Sequence, residues 1–250
     1  MTELDPRAGA AAPHGGPTGS VLSAATVDDA VLALRPDYRA LLVVVSGVRG
    51  GPTDAGSDEA LSRAERSAVA RLAGRPPEAL AEVAAWREAF AGFGVKPRVA
   101  RSSVEALLRR VEAGLPRVDR LTDLYNAVSV EHLVPVGGED LDRYVGPPRL
   151  VRAFGDEPFD TVADGVAVTV PVDAGEVVWR DDAGVTCRRW NWRQCVRTRL
   201  SPGTGRMLVI VDALDPVGDD VLVGIGQELI TRLTADAPEA EVSTRLLGGG

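Results

Sequence analysis

The sequence predicts an α+β fold. Apolar side chains recur at helical spacing between residues 57 and 132, and short Val-rich runs broken by Gly, Asp and Pro follow from about residue 149. Helices gathered early and strands late argue against a regular βαβ alternation. At 250 residues the chain is long enough for one substantial core, and no internal repeat is visible. One domain is expected over residues 21–236, between a disordered tail at 1–20 and a polar tail at 237–250. Residues 1–20 are mostly Gly, Pro and Ala, with almost nothing large and apolar to offset the entropy of ordering.

The elements follow in order. ALLVVVSGV at 40–48 is short, β-branched and almost uninterrupted, as a strand buried on both faces requires. GVRGGPTDAGS then forms a loop that lacks the Gly-Lys-Ser/Thr ending of a nucleotide-phosphate cradle. A helix is expected from Ser57 as N-cap, with Leu61, Ala64, Ala68 and Leu72 on one stripe and Gly74 as its stop. A second begins at Pro77 and aligns Leu80, Val83, Trp86, Phe90 and Phe93. A third opens on a capping box of Ser102 and Glu105, and a fourth spans 119–132. The strands RLVRAF, GVAVTVPV, GEVVWR, GVTCRRW and MLVIVDAL come next, with DDAG at 181–184 turning a hairpin. A last amphipathic helix carries Val221, Leu222, Ile225, Leu229, Ile230 and Leu233.

Composition excludes several functions. No apolar run is long enough for a membrane span and no secretory leader precedes the domain, so a cytoplasmic protein is expected. Cys187 and Cys195 read as half-buried thiols rather than a disulfide. The only histidines, His14 and His132, lie away from them at no ligand spacing, so neither a metal nor a cofactor is expected. A net charge of −8 argues against coating nucleic acid non-specifically, and DNA is not an expected partner. Lys96 is the sole lysine, so positive charge is almost entirely arginine, suited to phosphate and to carboxylate alike.

Three stretches carry candidate chemistry. On the helix LTDLYNAVSV, Thr122, Asn126 and Ser129 share a narrow polar face beside Tyr125. In PVGGEDLD, Pro135 ends that helix and Gly137 and Gly138 bring bare backbone beside Glu139 and Asp140 in an expected turn. In CRRWNWRQCVRTRL, a strand through 185–193 puts Trp190 and Trp192 on one side and Arg189, Asn191 and Arg193 on the other, next to Gln194. Arg188, Arg189, Arg193, Arg197 and Arg199 have no acidic neighbour in that segment, so they need acidic partners from elsewhere in the fold or an anionic ligand. Arg101 belongs to a second basic group near the third helix.

The order RSSVEALLRRV, LPRVDRLTDLYNAVSVEHLVPVGGEDLD, GVTCRRWNWRQCVRT and VIVDALDP, together with FGVKP, resembles the B3/B4 domain family over about residues 37–235. That domain occurs in the phenylalanyl-tRNA synthetase β subunit, as an editing site that hydrolyses mischarged tyrosyl ester at the tRNA 3′ end, and in free-standing proteins. The resemblance implies mixed and antiparallel sheets in unusual sandwich packing with flanking helices. It matches Asn126 to a pocket asparagine and Pro135 to the proline that follows. Gly137 stands where the synthetase has a histidine, and WNWRQ replaces its glycine-rich strand. The function implied is hydrolysis of mischarged aminoacyl-tRNA in trans, with Asn126, Gly137, Gly138 and Gln194 orienting ester and water. Thr122, Tyr125, Ser129, Glu139, Asp140, Trp190, Asn191 and Trp192 would form the aminoacyl pocket, and Arg101, Arg188, Arg189, Arg193 and Arg197 would hold the RNA. The alternative is a non-catalytic RNA-binding or amino-acid-binding module on the same fold.

Overall fold

The computed structural model describes residues 18–249, so most of the expected N-terminal tail lies outside the described residues. Residues 18–20 already belong to helix α1 (Thr18–Ser23), which leads into the short strand β1 (Thr26–Val27) and helix α2 (Asp29–Leu34). The central strand β2 (Arg39–Ser46) is buried along its middle six residues, as its unbroken apolar run demands. It sits in a four-stranded antiparallel sheet with β3 (Val136–Asp140), β10 (Arg206–Ala213) and β11 (Glu241–Gly248), in the order β11-β2-β10-β3. Helix α7 (Asp219–Thr234) packs on β2, placing Leu222, Ile225, Leu229 and Leu233 in the core.

The C-terminal segment corrects the sequence reading. Residues 237–250 were expected to trail as a polar tail, yet β11 pairs with β2 along its whole length, from Glu241 opposite Ser46 to Gly248 opposite Arg39. An edge strand with one solvated face shows polar residues at alternate positions and too few apolar ones to stand out.

Helix boundaries also move. Helix α3 (Ala55–Leu72) starts before Ser57, because Asp54 is the cap: its carboxylate accepts from the Ser57 N–H at 2.8 Å, and the Ser57 hydroxyl accepts from the Asp54 N–H at 3.1 Å. Pro77 opens a 3₁₀ turn, Pro77–Ala79, ahead of α4 (Ala81–Gly92), and its expected stripe is buried through Val83, Trp86 and Phe90. Ser102 caps α5 (Ser103–Leu108), but Glu105 does not complete the box. Its buried carboxylate is held by Arg87 at 2.6 Å and Arg109 at 3.0 Å. Helix α6 (Arg120–His132) is capped by Asp119 and packs on α3, α7 and β3.

A second sheet has the order β1-β4-β7-β8-β9, from β4 (Arg149–Arg152), β7 (Val177–Arg180), β8 (Val185–Arg188) and β9 (Arg193–Gln194). Its β1–β4 pair is parallel and the rest antiparallel, so the molecule combines mixed and antiparallel sheets with flanking helices. The ribbon of β5 (Pro158–Ala163) and β6 (Val166–Pro171) covers a small satellite core of Phe159, Val172, Val178, Val185 and Cys195. DDAG turns the β7–β8 hairpin as expected, with Asp181 accepting from the N–H groups of Ala183 and Gly184 at 2.9 and 3.1 Å.

Gly184 adopts φ +150°, and a Cβ there would lie 2.6 Å from the Pro158 carbonyl oxygen. Gly184→Ala is therefore expected to cost about 2 kcal/mol, from strain plus displacement of β5. Urea denaturation measures it, and an unchanged midpoint would show that the turn relaxes freely.

Candidate functional site

Three stretches distant in sequence wall a single cavity of about 150 Å³. Helix α6 contributes Tyr125 and Asn126, β3 contributes Val136, Gly137 and Glu139, and the β8–β9 connection contributes residues 190–194. The sheet order explains the convergence. Strand β3 is an edge, β10 pairs on its inner side with Ile210 opposite Gly137, and the 194–198 segment covers its outer side. There the Gln194 Nε2 donates to the Gly138 carbonyl at 2.8 Å and the Asp140 N–H to the Thr198 carbonyl at 2.8 Å.

Gly137 and Gly138 lie within this strand, not in the expected turn. Glycine is needed at 138 for close approach: a Cβ would clash with Met207 and stand 2.9 Å from the Tyr125 ring. Because the Gly138 carbonyl faces the outer edge, strand alternation turns its N–H the same way and the Gly137 N–H toward β10.

The strand expected through 185–193 breaks at Arg188. Arg189 and Trp190 are both left-handed, with φ of +46° and +66°, so the pleat is lost and the two tryptophans separate. Trp190 is fully buried, edge-on to Tyr38 and Trp86 at ring distances of 5.0 and 5.4 Å. Trp192 stays half-buried at the cavity, with the Arg189 guanidinium 4.4 Å from its ring centre.

Most of the expected cationic strip is neutralised from within. Arg188 is held by the buried Glu176 at 2.6 Å and by Asp173 at 3.3 Å, and Arg189 lies against the same two carboxylates. Arg197 grips the buried Asp181 at 2.8 Å, and Arg101 stands 3.6 Å from Glu105. The segment needed acidic partners, and β7 with its flanking turns supplies them. Arg193 is the exception among the arginines expected to bind RNA: it is exposed at the cavity, has no carboxylate partner and meets the Trp192 ring at 5.8 Å.

The polar residues of the first two stretches also divide. Asn126 lines the cavity and its amide makes no hydrogen bond among the described residues. Ser129 is fully buried and donates to the Val134 carbonyl at 2.6 Å, fixing the helix end. Thr122 is tied to the Asp119 cap and faces a neighbouring hollow. Asp140 accepts from Thr204 at 2.8 Å and caps a 3₁₀ turn, Leu141–Arg143. Glu139 accepts from Tyr144 at 2.7 Å and Thr198 at 2.8 Å, and burial raises its pKa.

The residue that sequence reasoning missed is Asp212, near the end of the apolar strand β10. It lines the cavity and accepts from the Tyr38 hydroxyl at 2.6 Å and the Asn191 Nδ2 at 3.2 Å. Burial pushes its pKa up to about 7, against the opposing pull of those donors. The signal was a lone charge in MLVIVDAL, a place where an unpaired acid is costly. Around it the Asn191 Oδ1 and the indole N–H groups of Trp179 and Trp190 are buried without a partner of good geometry, as is the Ser103 hydroxyl at another wall. Cys187 also lines the cavity, but burial raises its thiol pKa, so it is no ready nucleophile. Glu131, His132 and Glu228 form a group with metal-ligand spacing elsewhere, yet Arg232 binds both carboxylates, at 2.5 Å to Glu131 and more closely to Glu228.

No curated protein matches the chain. Among solved structures it is similar to an N-terminal fragment of the phenylalanyl-tRNA synthetase β-subunit from Pyrococcus horikoshii, at 12% identity and a TM-score of 0.44. That alignment covers 89% of this chain and 50% of the fragment, so the chain spans about half the fragment's length, and a likeness this distant supports nothing by itself. The family model described as the B3/4 domain matches residues 85–225, which include α6, β3, the 187–200 segment and β10. With more than half of its length matched, the chain belongs to the B3/4 domain family.

Proposed function

We propose that the cavity hydrolyses the ester of mischarged aminoacyl-tRNA, acting in trans in the cytoplasm. The observation that carries this reading is the buried Asp212 carboxyl, with a pKa of about 7, lining the same cavity of about 150 Å³ as the Asn126 amide. An aminoacyl ester is already activated, so an oriented water and a stabilised oxyanion suffice without a covalent nucleophile. Water adds to the ester carbonyl as Asp212 takes its proton, and the carbonyl electrons move onto oxygen. The Asn126 amide, which lines the cavity, is the donor available to that oxyanion. Collapse breaks the bond to the ribose oxygen, which leaves with the proton returned from Asp212.

This chemistry fits a chain with Gly137 where the resemblance has a histidine. Asp212 itself titrates near neutrality, the range a general base requires. The cavity's acceptors, Asp212 and the Asn191 Oδ1, favour an aminoacyl group carrying hydrogen-bond donors, including its own ammonium. No helix among the described residues is long and apolar enough to cross a membrane.

Release of amino acid from a panel of mischarged tRNAs tests the reading. Asn126→Ala should slow deacylation about a hundredfold, as removal of an oxyanion donor does. A wild-type protein that binds amino acids or RNA but deacylates nothing faster than buffer would leave the non-catalytic module as the function.

Two expectations concern pH. Because Asp212 must be ionised to accept a proton, the wild-type rate should rise with pH and level off above about 7, and Asp212→Asn should lose at least about a hundredfold and show no such step. For stability the sign is opposite. The folded carboxyl holds its proton up to about pH 7, whereas an unfolded one releases it near its ordinary value of 3.8, so stability falls as pH rises between those values. At pH 8 Asp212→Asn should therefore be more stable than wild type by a few kcal/mol, an advantage that shrinks to nothing near pH 4. Urea titrations at both pH values measure this, and an equal difference at both would place the effect outside ionisation.

A further inference from the structure

Across Gln194 from the cavity lies a second hollow of about 280 Å³, whose wall includes Thr122, Leu200 and Arg199. The two spaces share Tyr125 and Gln194, while successive β3 residues face them, Gly137 the cavity and Gly138 the hollow. The Gln194–Gly138 hydrogen bond at 2.8 Å is therefore the partition between them. We propose that this hollow is the seat of the terminal phosphodiester of an RNA 3′ end, held by Arg199 within it and Arg193 at the cavity mouth. The assignment rests on the deacylase reading above.

Charge accounting is the first support. Of the five arginines between 187 and 200, three spend their charge on Glu176, Asp173 and Asp181. Arg193 and Arg199 are exposed and have no carboxylate partner, and they flank Gln194 from the two sides of the partition. A chain of net charge −8 that leaves two guanidiniums unpaired at one doorway makes a local anion site in a repelling surround. Guanidinium forks suit phosphate oxygens, and exposed arginines retain all their donors for them.

Size is the second. The inner space of about 150 Å³ holds an aminoacyl group but not a nucleotide, so whatever is esterified to that group must lie outside it, at its mouth or across the partition. The hollow also contains an opposing charge. Asp119 lines it, with one carboxylate oxygen accepting from the Thr122 N–H and the other from the Thr122 hydroxyl, both at 2.8 Å. That anion restricts the seat to the side bearing Arg199 and Leu200, which is room for one phosphate group rather than a run of them.

The test uses an unacylated RNA hairpin with a short single-stranded 3′ end, followed by fluorescence anisotropy over a range of salt. Arg199→Ala and Arg193→Ala should each weaken binding about fivefold and lower the slope of log affinity against log salt by about 0.7, and the double variant should lose about twenty-five-fold. Arg63→Ala, removing an exposed unpaired arginine on α3, should change affinity less than twofold. Thermal melts establish that each variant is folded. Wild-type hydrolysis of an aminoacyl ethyl ester, which has no phosphate, reads the cavity chemistry separately. If wild type deacylates RNA and Arg199→Ala binds as wild type does, the seat is overturned while the deacylase reading stands. An equal loss in Arg63→Ala means diffuse attraction and also overturns it. A wild type that neither binds the hairpin nor hydrolyses either ester sinks both.

Discussion

The buried Glu176 is the constraint on which the site depends. Its carboxylate accepts from the Arg188 side chain and from the Arg189 backbone N–H at 2.9 Å, so one acid pins both the last residue of β8 and the first left-handed residue after it. Removing one partner of such a buried pair typically costs about 3–5 kcal/mol, so the contact that holds the left-handed turn is expensive to break. The turn so fixed sends Trp190 into the core and brings Trp192, Arg193 and Gln194 back along β3. Cavity, partition and unpaired arginines all follow from that reversal.

This also accounts for the arginine content of the segment. Arginines paired inside the fold and arginines left unpaired are separate residues, not shared ones. Arg188, Arg189 and Arg197 are neutralised by acids in the turns flanking β7, which lie 12 to 16 residues earlier in sequence and come close only because the hairpin folds back. Sequence could show that the charges needed partners, but the partners were hidden by the fold.

The parts of the fold legible in sequence were those with a strong period. The buried strand β2, the stripes of α3, α4 and α7, and the DDAG hairpin follow directly from apolar spacing and turn chemistry. Strand β11 was not legible, because half its residues face solvent and its pairing partner lies some 200 residues away. The glycines at 137 and 138 read as a turn, since sequence cannot distinguish a glycine that needs a positive φ from one that lets a tyrosine ring approach a strand. For the site, motif order identified the stretches that meet, whereas sequence could not show which of their hydroxyls and guanidiniums are already engaged within the fold, as with Ser129, Thr122 and Arg188. Asp212 was overlooked because it sits inside a run whose dominant signal is apolar.

Several departures from the rules of a well-packed interior gather around the cavity, while single ones such as the buried Thr161 hydroxyl lie elsewhere. Consecutive left-handed residues at 189 and 190, a carboxyl buried where ionisation is costly, an amide oxygen and two indole N–H groups without partners all lie within or against the same small space. Each of these carries a cost of about 1–3 kcal/mol, and no packing gain around them requires it: an aliphatic residue at 212 would complete β10, and a regular strand would relieve the turn. Elsewhere the buried polar groups of β3 and the 195–204 segment are matched donor to acceptor, so the chain is capable of satisfying such groups. On the proposed reading, these unmet groups are the donors and acceptors left for a ligand, and the buried carboxyl is one free to change charge near neutral pH.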